Sequence, residues 1–104
     1  MGTGFETAKV KLLTIVAGSE LEQRLERELK ADGIVAYTLT RVEGRGLHGI
    51  RREGFLDTGN VRIEMLVGAP LAQKILERVA NEYRDWPVIA FTHDAEAVPR
   101  ERFA

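Results

Sequence analysis

The pattern of hydrophobic and polar positions divides the chain into strand-like and helix-like stretches. Residues 9–17 are almost continuously apolar and rich in β-branched side chains, which is typical of a central strand buried on both faces. After Gly18, the sequence Ser-Glu-Leu-Glu predicts a helix start in which Ser19 caps the backbone and Glu22 bonds back to it. Leucines then recur at every fourth position, which predicts an amphipathic helix that ends at Gly33.

The same alternation of elements continues in the second half of the chain. Residues 35–43 and 60–68 alternate between apolar and polar side chains, which predicts two further strands. Pro70 suits the first turn of a second amphipathic helix, and Pro87 prevents that helix from continuing. Residues 88–92 predict a short last strand, and we expect Trp86 to lie in the core.

The predicted order is strand, helix, strand, strand, helix, strand. Two helices on one face of an antiparallel sheet give an α+β, ferredoxin-like βαββαβ sandwich. We expect a flexible N-terminus over residues 1–8 and a single domain over residues 9–104. The second sheet face mixes threonines, Arg62 and Glu64 with apolar residues, so we expect another subunit to cover it.

The long segment between the second and third strands is the best candidate for function. Residues 42–60 hold five of the chain's ten glycines, three of its arginines and one of its two histidines. The Gly-Arg-Gly sequence at residues 44–46 lets the backbone N–H groups approach an anion closely. The arginines can bind phosphate or carboxylate in a bidentate manner, and His48 can donate to an anion. We therefore expect nucleotide phosphates here, the alternative being a plain hairpin with a basic tip.

Composition narrows the classes of function. The formal net charge of −1 gives no overall attraction to nucleic acid, and the chain has no cysteine to form a disulfide or a thiolate metal site. No apolar run approaches the roughly 20 residues that cross a bilayer, so we expect no membrane insertion and a cytoplasmic location. The sequence places no nucleophile beside a base and groups no metal ligands. It therefore favours a protein that binds ligands over an enzyme, with no catalytic cofactor.

Four segments resemble the PII signalling family in order and spacing. Residues 42–46, Val-Glu-Gly-Arg-Gly, are similar to the family's Val-Lys-Gly-x-Gly at the base of its long T-loop. Residues 38–40, Thr-Leu-Thr, are similar to Thr-Val-Thr on the second strand, and residues 61–67 resemble the third strand. Residues 98–102 are similar to the family's Val-x-Arg-x-Arg tail. The resemblance covers nearly the whole chain from Lys9.

This resemblance implies a homotrimer that binds adenine nucleotides in the clefts between its subunits. The T-loop would span about residues 44–59. The nucleotide-binding residues implied by the resemblance are Thr38, Gly44, Arg45, Gly46, Leu47, His48, Gly49, Glu64, Leu66, Arg100 and Arg102. The candidate residues for a small anion such as bicarbonate are Gly46, His48 and Arg51.

The departures from the family pattern refine the expected ligand. Residues 47–49 are Leu-His-Gly where the family has Arg-Gln-Lys, and the T-loop lacks the modifiable tyrosine. The phosphate-binding B-loop shrinks to Arg-Asp-Trp-Pro at residues 84–87, which favours ADP or AMP over ATP. The short T-loop most resembles that of the carboxysome-associated PII-like proteins. That likeness implies a regulator of inorganic-carbon uptake or of the carboxysome, with bicarbonate as a candidate ligand and a bicarbonate transporter as a candidate target.

Two other classes share the expected fold. An acylphosphatase-like enzyme also uses a Gly-Arg phosphate loop, but that loop follows the first strand, where residues 17–19 here contain no arginine. An RNA-binding module would need aromatic side chains exposed on the sheet, and the strand at residues 9–17 has none. Both alternatives are therefore weaker than a PII-like sensor.

Overall fold

The described part of the chain forms four strands and two helices, with two short 3-10 turns. A computed structural model describes residues 4–44 and 59–103. In chain order the elements are β1 (Ala8–Gly18), a 3-10 turn (Ser19–Leu21), α1 (Glu22–Ala31), β2 (Thr38–Val42), β3 (Asn60–Val67), α2 (Ala69–Glu82), β4 (Val88–Ala97) and a second 3-10 turn (Arg100–Arg102).

The strands form one antiparallel sheet in the order β2-β3-β1-β4. Both helices pack on the same face of this sheet, because their buried leucine, alanine and isoleucine side chains join one core with the inward residues of β1 and β3. The α+β, ferredoxin-like prediction is confirmed. The segment between β2 and β3 occupies the position expected for a T-loop.

The core sits between the sheet and the helices, and β1 contributes its centre. Leu13, Ile15 and Ala17 are completely or almost completely buried, and Ile63 of β3 lies directly opposite Ile15. Alternate side chains of a strand point to opposite faces. Because these three point toward the helices, the side chains between them point to the other face of the sheet. Burial of each large apolar side chain contributes about 1.5–3 kcal/mol.

The start of α1 differs from the predicted capping box. A 3-10 turn precedes the helix, and Leu21 occupies the N-cap position of α1. Among the described residues, no side chain caps either element by a hydrogen bond. The prediction that Ser19 caps the helix is therefore wrong. The backbone N–H of Ser19 donates instead to the carbonyl of Gly59, and Leu21 is buried in the core.

Two strand boundaries also differ from the alternation pattern. β2 begins at Thr38 rather than at residue 35, because Ile34 packs into the core and its N–H donates to Leu29, while the next side chain projects into solvent. β4 continues to Ala97 rather than stopping at residue 92, because β1 supplies a pairing partner for every residue from Val88 to Ala97. His93 therefore lies within a strand and not at its end.

A charged cluster joins the end of α1 to α2. Arg78 donates to Asp32 through Nη1 at 2.9 Å and through Nη2 at 2.6 Å, and the Asp32 side chain is only 4% exposed. The hydrogen bond from Arg78 holds the pKa of Asp32 below its usual value, although burial alone would raise it. The hydroxyl of Tyr83 donates to Glu28 at 2.7 Å, and burial followed by this hydrogen bond raises the pKa of Tyr83 to about 12.

We expect Arg78→Ala to destabilise the fold by about 3 kcal/mol, because it leaves the buried Asp32 carboxylate without its bidentate partner. Lys74 provides the matched control, since its Nζ lies 3.6 Å from the same carboxylate but its side chain is 65% exposed. Lys74→Ala should cost less than about 1 kcal/mol. Urea unfolding of both variants measures the difference. Equal losses in the free energy of unfolding would show that the Arg78–Asp32 pair is as weak as a surface ion pair.

Gly59, the residue immediately before β3, adopts a left-handed conformation, with φ at 86°. A residue with a side chain is strained there by about 1–2 kcal/mol, so we expect Gly59→Ala to lower the free energy of unfolding by that amount. Gly44→Ala is the control, because a Cβ at Gly44 would meet Asn60 Nδ2 at 3.4 Å, an ordinary contact. Both variants are compared by denaturant unfolding. Equal stability of the two would show that the left-handed conformation at Gly59 does not disfavour a side chain.

Candidate functional site

The T-loop begins and ends at one end of the sheet. Val42 of β2 pairs with Asn60 of β3, so the chain leaves and re-enters the sheet at neighbouring positions. The N–H of Ser19 donates to the carbonyl of Gly59, and the N–H of Gly18 donates to Pro87, both at 3.0 Å. The turn after β1, the T-loop base and the 84–87 loop therefore meet here. We call this region the loop end.

The T-loop base is held to α1 by side chains on the helix-facing side of β2. Arg41 donates through Nη1 to Glu22 at 2.8 Å and through Nη2 at 3.4 Å. Just before the strand, Tyr37 donates its hydroxyl to Glu26. These contacts fix the edge strand against the helix immediately before Gly44, which is the last described residue before the T-loop and is exposed.

Three of the predicted nucleotide-binding residues lie on the sheet face away from the helices. Thr38 is the direct cross-strand partner of Glu64, so the structure brings these two candidates together. Leu66 follows on the same face of β3 and is 40% exposed. Glu64 Oε1 also lies 3.8 Å from Nε of Arg62, which shares this face of β3.

That sheet face is open and carries further apolar side chains. Ile89 and Phe91 of β4 are 48% and 41% exposed, and the ring of His93 packs edge-on against Phe91 with a centroid distance of 5.7 Å. Phe91 lies opposite Thr14 of β1, which lies in turn opposite Glu64. Apolar and polar groups therefore alternate across a surface that the helices do not cover.

The two predicted tail cations lie at the opposite end of the sheet. Ala8 of β1 pairs with Ala97 of β4, and the 3-10 turn that carries Arg100 and Arg102 follows directly. Arg100 Nη1 contacts Glu6 Oε2 at 3.0 Å, beside an open groove formed by the chain's first and last described segments. We call this region the tail end.

The loop end and the tail end are far apart within one chain. β1 extends from one to the other, and at about 3.3 Å per residue its length from Ala8 to Ala17 is roughly 30 Å. Gly44 therefore cannot share a small ligand with Arg100 or Arg102 of the same chain. The structure brings together Thr38 and Glu64 but separates the T-loop base from the tail arginines.

The other predicted contacts belong to the T-loop itself. Arg45, Gly46, Leu47, His48, Gly49 and Arg51 lie outside the described residues. Within residues 4–44 and 59–103, no group of three or more His, Asp or Glu side chains could hold a metal ion. In the same part of the chain, neither helix is long and apolar enough to cross a membrane.

Sequence reasoning missed one cluster at the loop end. The expectation that Trp86 lies in the core is wrong, because it is 42% exposed, and its ring lies 5.9 Å from the guanidinium carbon of Arg24. The same guanidinium lies 4.9 Å from the ring centre of Tyr83. The signal available in the sequence was the Tyr-Arg-Asp-Trp-Pro run at residues 83–87, although nothing local indicated its partner on α1.

Comparison with solved structures supports the fold along nearly all of the chain. A PII-like signalling protein from Thermus thermophilus is 37% identical, with a TM-score of 0.78, and the match covers 96% of this chain and 100% of that protein. CPII from Thiomonas intermedia, solved with ADP, AMP and acetate, is 20% identical, with a TM-score of 0.77 and coverage of 95% and 98%. The GlnK–ATP complex of B. subtilis is 20% identical, with a TM-score of 0.58 and coverage of 84% and 82%.

Comparison with curated protein sequences found no match. The family model described as nitrogen regulatory protein P-II matches residues 10–102, which include every described strand and helix apart from the first two residues of β1. Together with the 37% identity to the Thermus protein, this match shows that the chain belongs to the P-II family.

Proposed function

We propose that this protein is a non-enzymatic sensor that binds an adenine nucleotide between subunits of a cytoplasmic homotrimer. ADP or AMP is the preferred nucleotide and bicarbonate the second ligand. The observation that carries the proposal is the separation of the candidate contacts between the loop end and the tail end, in a chain of the P-II family. A ligand that uses both sets needs two copies of the chain.

The ligands of structurally similar proteins support this choice. CPII from Thiomonas intermedia has been solved with ADP and bicarbonate as well as with ADP, AMP and acetate, and the B. subtilis protein with ATP. In the present chain the 84–87 loop contains one basic residue, Arg84, and is short. A short loop with one cation offers few partners to a third phosphate, which favours ADP and AMP.

The open sheet face supplies a reason for assembly. Leu66, Ile89 and Phe91 expose apolar surface there, and a second copy that covered them would remove this surface from water. In the arrangement that we propose, the tail end of one chain lies near the loop end of its neighbour. Arg100 and Arg102 of one subunit would then meet phosphates held at Gly44 and the following residues of the other.

The proposed output is the conformation of the T-loop, residues 44–59. A phosphate or bicarbonate bound by the glycines and arginines at its base would favour one conformation of the loop, and a partner protein would recognise that conformation. The short loop and the bicarbonate-bound CPII structure support a role in inorganic-carbon uptake or carboxysome regulation. A bicarbonate transporter is the proposed target.

Titration calorimetry of the full chain with ADP, AMP and ATP, each with and without bicarbonate, tests the proposal. We expect ADP and AMP to bind more tightly than ATP. Arg102→Ala should weaken ADP binding by about 10-fold or more, because one charge-assisted hydrogen bond is lost. Arg27→Ala, an exposed arginine on α1, is the control and should leave the affinity unchanged. A folded oligomer that binds none of the three nucleotides would contradict the proposal.

Mixed oligomers test whether each site is shared between subunits. Gly44→Asp places a negative charge at the exposed T-loop base and should repel phosphate, while Arg102→Ala removes the opposite half of the site. The two weakened variants are unfolded and refolded together in equal amounts, and ADP binding is measured at a concentration that fills intact clefts but not weakened ones. About a quarter of the clefts should then combine two intact halves and bind ADP. No recovery in oligomers shown to be mixed would place the whole site within one chain.

A further inference from the structure

Arg24 lies beside two aromatic rings at the loop end. Its guanidinium carbon is 4.9 Å from the centre of the Tyr83 ring and 5.9 Å from that of Trp86. Both distances fall within the roughly 6 Å over which a cation is attracted by the face of an aromatic ring. Tyr83 is 1% exposed and fixed in the core, whereas Trp86 is 42% exposed. The arginine therefore links a surface side chain to one that the core holds in place.

The Arg24 side chain is itself held in place. Its Nε lies 3.7 Å from Glu28 Oε2, one turn further along α1. The other carboxylate oxygen of Glu28 accepts the hydroxyl hydrogen bond of Tyr83 and lies 3.9 Å from Arg78 Nη1. Glu28 of α1 and Tyr83 at the end of α2 together restrict the position of the Arg24 guanidinium. The two helices therefore determine where Trp86 contacts Arg24.

The 84–87 loop is the segment that this contact controls. It joins α2 to β4, and its backbone turns through hydrogen bonds from Trp86 N–H to Tyr83 and from Val88 N–H to Trp86. The carbonyl of Pro87 accepts from Gly18, whose neighbour Ser19 donates to Gly59 at the T-loop exit. The 84–87 loop is therefore linked by backbone hydrogen bonds to the turn after β1, and that turn to the T-loop exit.

We propose that Arg24 is a positioning residue for ligand binding: by stacking on Tyr83 and Trp86, it fixes the 84–87 loop as a wall of the ligand site at the loop end. The inference rests on the proposed function, since it assigns how one wall of that site is held. Arg24 itself contacts no ligand. Its loss leaves the loop attached at both ends but frees Trp86 and the exposed Arg84 to move away from the site.

Arg24→Ala tests the proposal, with Arg27→Ala as the matched control on the same helix. We expect Arg24→Ala to weaken ADP binding by about three- to tenfold, because the cation–π contact is lost and the 84–87 loop is no longer held in position. Arg24→Lys keeps the positive charge but not the planar group, so it should restore part of the affinity. Affinities are measured at a temperature where circular dichroism shows every variant fully folded.

Trp86 is the chain's single tryptophan, so its fluorescence reports on the loop alone. In Arg24→Ala the emission of Trp86 should shift toward longer wavelength, and acrylamide should quench it more strongly. Added ADP should change this emission less than it does in the unaltered protein. Arg27→Ala should show none of these changes. A purely structural role for Arg24 would lower the unfolding temperature without altering affinity or the ADP-dependent emission.

A double-mutant cycle distinguishes the stack from an independent effect of either residue. Trp86→Ala should weaken ADP binding to a similar extent, and the double variant should be little worse than either single variant, because the two residues act through one contact. Additive losses, or an unchanged affinity of Arg24→Ala, would overturn the proposal. If the unaltered protein bound no nucleotide, the proposed function would fail first, so the two failures are distinguishable.

Discussion

The pairing of β1 with two neighbours is the constraint on which the rest of the structure depends. One strand of eleven residues pairs with β3 from Lys11 to Gly18 and with β4 from Ala8 to Ala17. Its inward row, Leu13, Ile15 and Ala17, forms the centre of the core. Because a slip of one residue would turn that row toward the open face, burial fixes the register of the whole sheet.

The register of β1 also decides what lies at each end of the molecule. The T-loop base, the turn after β1 and the 84–87 loop share one end, and the tail arginines share the other. The T-loop base and the tail arginines, which the family resemblance assigns to one ligand site, are therefore separated by the length of a strand. On the proposed trimer, this separation becomes an advantage, because a ligand that bridges two subunits links occupancy of the site to assembly.

Helix α1 connects the core to the loop end on two sides. Glu22 accepts from Arg41 of β2, Glu26 accepts from Tyr37 just before that strand, and Arg24 lies against Trp86 of the 84–87 loop. The exposed Arg41–Glu22 ion pair contributes little to stability, about 0–1 kcal/mol. The proposed value of these contacts lies in position: they orient β2 and the 84–87 loop from one rigid helix, which the Asp32–Arg78 pair anchors in turn to α2.

The sequence by itself determined the order of elements, the alternation along the second and third strands, and the family, because these follow from periodicity and local motifs along the chain. It did not determine the start of α1 at Glu22, the length of β4 or the partner of Trp86, since each depends on contacts with residues distant in sequence. It named candidate ligand residues but could not show that they divide between two ends of a sheet. Only the tertiary structure decided that division, because strand register converts separation along the chain into distance in space.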